Sequence, residues 1–320
     1  MPIRTYCVLG GAGFLGRSLL ARLAVRDGVR IKVLTMPGER LETGRHDIET
    51  VVGDLTDPTF DPGFFTEADV VINLVYAAPL GPEGNLEVTR RVAEKCLEAG
   101  VARLVHCSTA VVAGDAPDDV ITEELPCRPV DSYEKTKLAI EDCLFEMLSG
   151  RLQTIMLRPT AVVGPGGHNL RKLASEILNE GTTTRMIKSS LNGSRQMNLV
   201  AVRNVGAALA WLAAYPGKLP HDKYIISDDD DAANNYADIA ALLTGALGRH
   251  RTPQFRPPFQ RALLATLLRL RGRSGCNPSR TYSADRIRGL GFKKVVSLKE
   301  EILSFADWYR ALLEEGKQRA

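Results

Sequence analysis

A short apolar run, Thr5–Leu9, leads straight into Gly10-Gly11-Ala12-Gly13-Phe14-Leu15-Gly16, and a helical pattern, Phe14–Arg26, leaves it. No other stretch restricts the fold as much. Glycines at 10, 11, 13 and 16 between a strand and a helix mark a backbone that turns tightly and admits close neighbours. Gly10 permits the turn, Gly13 lets main chain approach a pyrophosphate, and Gly16 lets the helix pack close to the strand. The helix start then offers unpaired N–H groups to phosphate. An ordinary glycine-rich turn is the bland alternative; position and spacing weigh against it.

The first 165 residues repeat this alternation. Ile31–Leu34, Ile48–Val52, Val70–Leu74, Arg103–Cys107 and Thr154–Leu157 read as strands; Asn85–Ala99 and Ser132–Leu148 read as helices. Continuous apolar strands separated by helices predict a parallel sheet covered on both faces, a Rossmann-like doubly wound α/β fold. After Gly164 the texture changes at Pro165-Gly166-Gly167. Leu170–Asn179 reads as helix, Asn198–Val202 as strand, Val205–Ala214 as helix and Lys223–Ser227 as strand. An acidic turn, Asp228–Asp231, and helices over Tyr236–Leu247 and Leu298–Glu314 follow. The expected organisation is a dinucleotide-binding domain from 1–165 plus about 197–228. A smaller, mostly C-terminal α/β substrate lobe takes about 166–196 plus 229–320.

Asp131-Ser132-Tyr133-Glu134-Lys135-Thr136-Lys137 carries the chemistry. Asp131 with Glu134 three residues on is a capping box, so a helix starts here. Tyr133 and Lys137 then share one face, one turn apart. A phenol with a pKa of about 10 is a poor base at neutral pH. A neighbouring ammonium lowers that pKa, and a positively charged nicotinamide would push the same way. A tyrosine so tuned takes a proton from a hydroxyl as hydride leaves for a cofactor, or delivers one in reverse. Thr109 or Ser108 stands at the end of the strand Arg103–Cys107, where an open parallel sheet binds its ligands. Either is a candidate to steady the reacting oxygen, with a helix or turn cap as the alternative role.

Nicotinamide enzymes place an acid after the second strand, but Val33-Leu34-Thr35-Met36-Pro37-Gly38-Glu39-Arg40 has none directly at the strand end. Arg40 is a candidate for a ribose phosphate, which would favour NADP, or equally a solvated loop charge. NAD and NADP both stay open. Asp54 is a candidate adenine contact or a turn residue.

Composition narrows the remaining classes. Hydrophobic residues make up 44%, charged residues 25%, and the net charge is +3, so nothing calls for nucleic acid or an acidic membrane. The longest apolar stretches, such as Val205–Ala214, fall well short of the roughly 18–20 residues that span a bilayer. Six cysteines without a C-x-x-C pair, and five histidines without ligand spacing, predict neither a disulfide framework nor a metal site. The start, MPIRTYCVLGG, lacks a signal-peptide layout, and a cytoplasmic protein is expected. Phe259–Arg273 is basic and apolar at helical spacing; it is expected to cover part of the second lobe, with a membrane-surface helix as the alternative.

With these features placed, the chain resembles the extended short-chain dehydrogenases/reductases, the NAD-dependent epimerase/dehydratase group of nucleotide-sugar enzymes. Val8–Gly16, with Gly10, Gly13, Phe14, Leu15 and Gly16, resembles the family's cofactor loop. Gly53-Asp54-Leu55 resembles its adenine-contact strand end, and Asn73-Leu74-Val75 its loop beside the cofactor. Asn85 followed by Thr89 resembles the start of its fourth helix. Ser108–Gly114 resembles the catalytic Ser/Thr segment, with Thr109 at the catalytic position and Ser108 beside the cofactor. Tyr133 and Lys137 fit the catalytic pair. Leu157–Gly166, with Pro159, resembles the segment that borders nicotinamide and enters the substrate lobe. Leu290-Gly291-Phe292 and Val296–Ile302 resemble the family's C-terminal region.

The resemblance implies that Lys137 lowers the Tyr133 pKa and holds the cofactor ribose. It also implies a nucleotide-sugar substrate and a homodimer through the helices after Asn85 and Ser132. The departures are specific. Leu9 replaces the usual Thr, and Ala113 and Val163 stand where aromatics are common. Ala110-Val111 replace the acid pair of the 4,6-dehydratases, so water elimination lacks an agent. Met197 stands where an arginine contacts the diphosphate, with Arg195 two residues earlier as substitute. His168 and Asn169, and more weakly Arg280, are further candidate substrate contacts. The leading expectation is a 4-epimerase or 4-ketoreductase of a nucleotide sugar. A dehydrogenase or reductase of a steroid-like or other small carbonyl substrate, and a non-catalytic NADP-binding sensor, are the alternatives.

Overall fold

The computed structural model of the protein describes residues 4–39, 41, 48–57, 59–60, 62–250 and 277–318. Seven parallel strands form the central sheet: β1 (Arg4–Leu9), β2 (Val29–Thr35), β3 (Ile48–Val52), β4 (Val70–Asn73), β5 (Arg103–Cys107), β7 (Gln153–Pro159) and β10 (Lys223–Ile226). Their order is β10-β7-β5-β4-β1-β2-β3. From β1 the chain builds outward to β2 and β3, then crosses to β4 on the other side, so the order reverses beside β1. In a doubly wound sheet that reversal opens the ligand crevice at the carboxyl ends of the strands.

Strand side chains alternate between two covered faces. Tyr6 and Val8 of β1 pack beneath α1 (Phe14–Leu23) and α6 (Val202–Ala214), while Cys7 and Leu9 pack beneath α2 (Gly81–Glu98) and α3 (Ser132–Leu148). Helices α1 and α6 cross closely because α6 presents Gly206, where an added Cβ would come within 2.7 Å of the Ser18 backbone. The Ser18 hydroxyl donates to the Val202 carbonyl at 2.9 Å. Buried Arg103 donates to the Leu212, Ala213, Tyr215 and Gly217 carbonyls, satisfying the open end of α6 with a cation where the helix dipole favours one.

Beyond β7 the chain forms a parallel pair, β8 (Ala161–Val163) with β9 (Leu199–Ala201). A separate cluster there joins Val163, Leu173, Ile177, Leu199, Ile239, Leu243, Ile302 and Phe305. It is built from α4 (Arg171–Asn179), α7 (Tyr236–Ala246) and the terminal helix Leu298–Gln318. Among the features with no sequence expectation are a helix and a strand pair. Helix α5 (Thr182–Asn192) opens on three threonines, poor helix formers, and packs on α7. β11 (Thr281–Tyr282) pairs with β6 (Val120–Ile121), a strand pair too short to leave a pattern. The acidic turn is a knot: Asp228 accepts from Ala201 N at 2.8 Å and from the Lys294 ammonium at 2.9 Å. Asp229 accepts from Asn198, Asn234 and Tyr282 N. Arg40, Cys276 and the Phe259–Arg273 segment lie outside the described residues.

Candidate active site

The glycine loop meets the needs read from its spacing. Gly10 adopts φ +78°, a left-handed conformation that disfavours any side chain, and Gly13 N–H closes the turn on the Gly10 carbonyl at 3.2 Å. An added Cβ on Gly16 would collide with the Gly10 and Gly11 carbonyls. Gly13 is the N-cap of α1 and brings no capping side chain, so the first N–H groups of the helix stay available. Leu15 turns its side chain into the core and contributes main chain alone at this turn. Phe14 packs beside Gly167, where an added Cβ would come within 2.9 Å of its ring; the loop is thereby braced by the Pro-Gly break.

A cleft of about 330 Å³ runs from this loop over the carboxyl ends of β1 to β4. Gly10, Gly13, Asp54, Leu55, Leu74 and Val75 all line it, so the structure brings together these six expected cofactor contacts. Turn, bare helix start and elongated cleft fit a dinucleotide. Asp54 accepts from Thr56 N at 2.8 Å, so it serves as a turn residue while facing the cleft. Glu39 also lines the cleft. Its carboxylate accepts from Met36 N at 2.9 Å, folding the turn after β2 back so that an acid stands there after all. The sequence signal was present, four residues beyond the strand end, but only the turn brings it into place.

At the end of β5 the catalytic candidates converge. Asp131 and Glu134 form the reciprocal capping box that starts α3. Tyr133 is 41% exposed. The Thr109 side chain lies beside its hydroxyl. Thr109 also caps the short helix Ala110–Ala113, accepting from Val111 N at 3.4 Å, so both roles considered for it are present. Buried Ser108 makes no side-chain hydrogen bond, and its N–H goes to the Leu157 carbonyl at 2.8 Å. Lys137 is 3% exposed and donates to the Cys107 carbonyl at 2.9 Å. Tyr76, unforeseen from sequence, touches both members of the pair. Its ring meets Tyr133 edge-on at 5.2 Å between centroids, and the Lys137 ammonium lies 5.4 Å from its centre.

Burial raises the Tyr133 pKa above the ordinary phenol value, and the neighbouring Thr109 side chain offsets this only in part. The Lys137 ammonium meets the Cys107 carbonyl and the Tyr76 face. Burial lowers Lys137 itself.

The expected substrate contacts do not all gather. Thr109 is at the site. His168 is exposed, and Asn169 donates to the Val162 carbonyl at 2.7 Å, closing its own loop. Arg195 lies 6.0 Å from the Tyr236 ring centre and donates to the Met197 sulfur, facing α7. Arg280 donates to the Gly114 and Ala116 carbonyls, bracing the loop that carries Thr109. Pro159 is buried at the end of β7, paired with Ile226 of β10.

Known proteins place this arrangement. The family model described as NAD dependent epimerase/dehydratase family matches residues 6–226. A sterol-4-alpha-carboxylate 3-dehydrogenase, decarboxylating, of Schizosaccharomyces pombe is 28% identical over 204 residues, 60% of each chain. A dTDP-6-deoxy-L-talose 4-dehydrogenase (NAD(P)(+)) of Kitasatospora kifunensis is 33% identical over 179 residues, 51% of this chain and 54% of that one. The chain thus spans little more than half the length of these curated relatives. A UDP-N-acetylglucosamine 4-epimerase from Methanobrevibacter ruminantium, solved with UDP-N-acetylmuramic acid, superposes with a TM-score of 0.74. It is 15% identical, over 98% of this chain and 100% of that one, and shares the fold.

Proposed function

The chain belongs to the NAD dependent epimerase/dehydratase family, and from that premise we propose that it moves hydride between a dinucleotide and a ring secondary alcohol or ketone. One observation carries the reading: Tyr133 stands beside Thr109 and packs edge-on against Tyr76, which lines the cleft that the glycine loop closes. The dinucleotide, when bound, supplies the hydride acceptor or donor. Gly10, Gly13 and the start of α1 hold its phosphates, and Asp54, Leu55, Leu74 and Val75 line its adenosine side. Thr109 Oγ1 orients the reacting oxygen and Tyr133 moves its proton. The same phenol can give the proton when a ketone is reduced and take it when an alcohol is oxidised. Lys137 fixes the depth of α3 through the Cys107 carbonyl and offers its remaining N–H groups to the ribose.

Two carboxylates, Glu39 and Asp54, line the adenosine end of the cleft and would repel a ribose phosphate. NAD is accordingly the proposed partner. Glu39→Ala should raise use of NADP relative to NAD by about tenfold; an unchanged ratio of kcat/KM for the two removes Glu39 from this role.

For the substrate, a nucleotide sugar reacting at its 4-position remains the first reading, supported by the talose 4-dehydrogenase relative. A sterol-like alcohol is the second. It is favoured by the sterol dehydrogenase relative and by Arg195 and Arg280, which are engaged elsewhere than on a diphosphate. Pairing of two copies through α2 and α3 belongs to the same proposal. The test is turnover of NAD-linked UDP- and dTDP-sugars against 3-hydroxysterols. Activity on sterols alone ends the sugar reading, and activity on neither, with NAD still bound, points to a sensor.

A further inference from the structure

Tyr76, on the loop after β4, belongs to both halves of the proposed site. On one side it lines the cleft that the glycine loop closes, together with Gly10, Gly13 and Leu80. On the other its ring meets Tyr133 edge-on, with centroids 5.2 Å apart and planes at 86°, and the Lys137 ammonium lies 5.4 Å from its centre. These are the geometries of attractive aromatic and cation–aromatic contacts. Among the described residues that line the cleft, Thr109, Tyr133 and Lys137 are absent. Tyr76 is thus the side chain that the cleft and the catalytic pair share.

The main chain around Tyr76 is clamped on both sides. Asn73, 2% exposed, accepts from Val75 N at 3.0 Å. Asn85, 4% exposed, accepts from Ala77 N at 3.0 Å and donates to the Ala77 carbonyl at 2.8 Å. With the backbone fixed, the freedom that remains to Tyr76 is rotation of its side chain. The residue is half-buried, and among the described residues no partner ties its hydroxyl. Lys137 has far less freedom. It is 3% exposed and donates to the Cys107 carbonyl, which belongs to a strand inside the sheet and cannot yield. The Tyr76 ring can yield. A ribose hydroxyl that accepts from the ammonium must compete with that ring for the charge.

We propose that Tyr76 is a positioning residue of the cofactor site. Its ring braces Lys137 and Tyr133, and it turns off the ammonium when a dinucleotide extends from the cleft to the pair, leaving its place to the ribose. The role rests on the functions proposed for Tyr133 and Lys137, but binding rather than turnover decides it. In protein with 13C-labelled lysine and tyrosine, NMR should show a nuclear Overhauser contact between the Lys137 ε-protons and the Tyr76 ring, assigned by its absence from Tyr76→Ala. Saturating NAD should abolish it. By calorimetry, Tyr76→Ala should bind NAD about fivefold more tightly than the parent, because no ring has to be displaced, and Tyr76→Phe should bind within about twofold of the parent. Absence of the contact before NAD is added, or its survival at saturation, overturns the proposal. So does a folded Tyr76→Ala that binds NAD no more tightly than the parent. Should the alanine variant fail to fold, the contact is assigned from Lys137→Met and its fate in the parent still decides. A parent that loses the contact on binding NAD yet turns over no substrate upholds this role and counts against the functional reading alone.

Discussion

The two faces of the central sheet solve the same packing problem with different chemistry. Under α1 and α6, apart from Arg103 at the open end of α6, the layer is apolar and small: Val8, Leu20, Val33, Ile72, Val105 and Leu157 meet Val205, Ala208, Leu209 and Leu212. Under α2 and α3 the apolar layer of Leu9, Val71, Leu104, Ile140 and Met156 gives way to Asn73, His106, Lys137, Glu141 and Arg158 as β4, β5 and β7 reach their carboxyl ends. One face gains its stability from close contact. The other accepts buried polar groups, which cost stability unless each is paired, at the place where the reaction is proposed to occur.

The comparison breaks most sharply at Tyr133. Tyr133→Phe should reduce turnover by about a thousandfold, within the range for loss of a positioned acid/base group. Because the side chain is 41% exposed, the unfolding free energy should stay within about 0.5 kcal/mol of the parent. Equal turnover by the variant would remove Tyr133 from the chemistry.

The apolar face should behave in the opposite way. Gly206→Leu forces a side chain into the Ser18 backbone. Denaturant unfolding should show a loss of about 2–3 kcal/mol, the usual range for overpacking. A variant as stable as the parent would mean that α1 and α6 can separate without cost.

The smallest effect is a dependence on pH. His106 is held neutral by burial and by the nearby Lys137 charge, so its pKa falls well below the ordinary 6.5. An unfolded chain then binds the proton that the folded one refuses. Stability present above about 6.5 is lost as the pH falls through that value. His106→Phe should flatten the fall in melting temperature between pH 7 and 5. A fall as steep as the parent's would place the acid sensitivity elsewhere.

Much of this was legible in local pattern. The strands of the sheet, the glycine turn and the capping box at Asp131 and Glu134 follow from period, backbone freedom and capping chemistry, all short-range. Tyr133, Lys137 and Thr109 could be singled out because helix spacing and a strand end place them. Among the missed elements, α5 begins on Thr182-Thr183-Thr184, poor helix formers, and β6 and β11 are two residues each, too short for a period. The turn of Arg195 towards Tyr236 and of Arg280 towards the Gly114 and Ala116 carbonyls was hidden for a related reason. An arginine's sequence position does not say which carbonyl, ring or sulfur its long side chain will reach.

The sequence by itself therefore determined the doubly wound architecture and which side chains are proposed to react, because those rest on periodicity and on i, i+4 geometry. Only the tertiary structure decided their electrostatic state. Whether Tyr133 is driven up or down, whether Lys137 faces a phenol or a carbonyl, and whether Glu39 turns into the cleft depend on burial and on partners distant in sequence. Charge in a medium of low polarity is governed by what surrounds it in space.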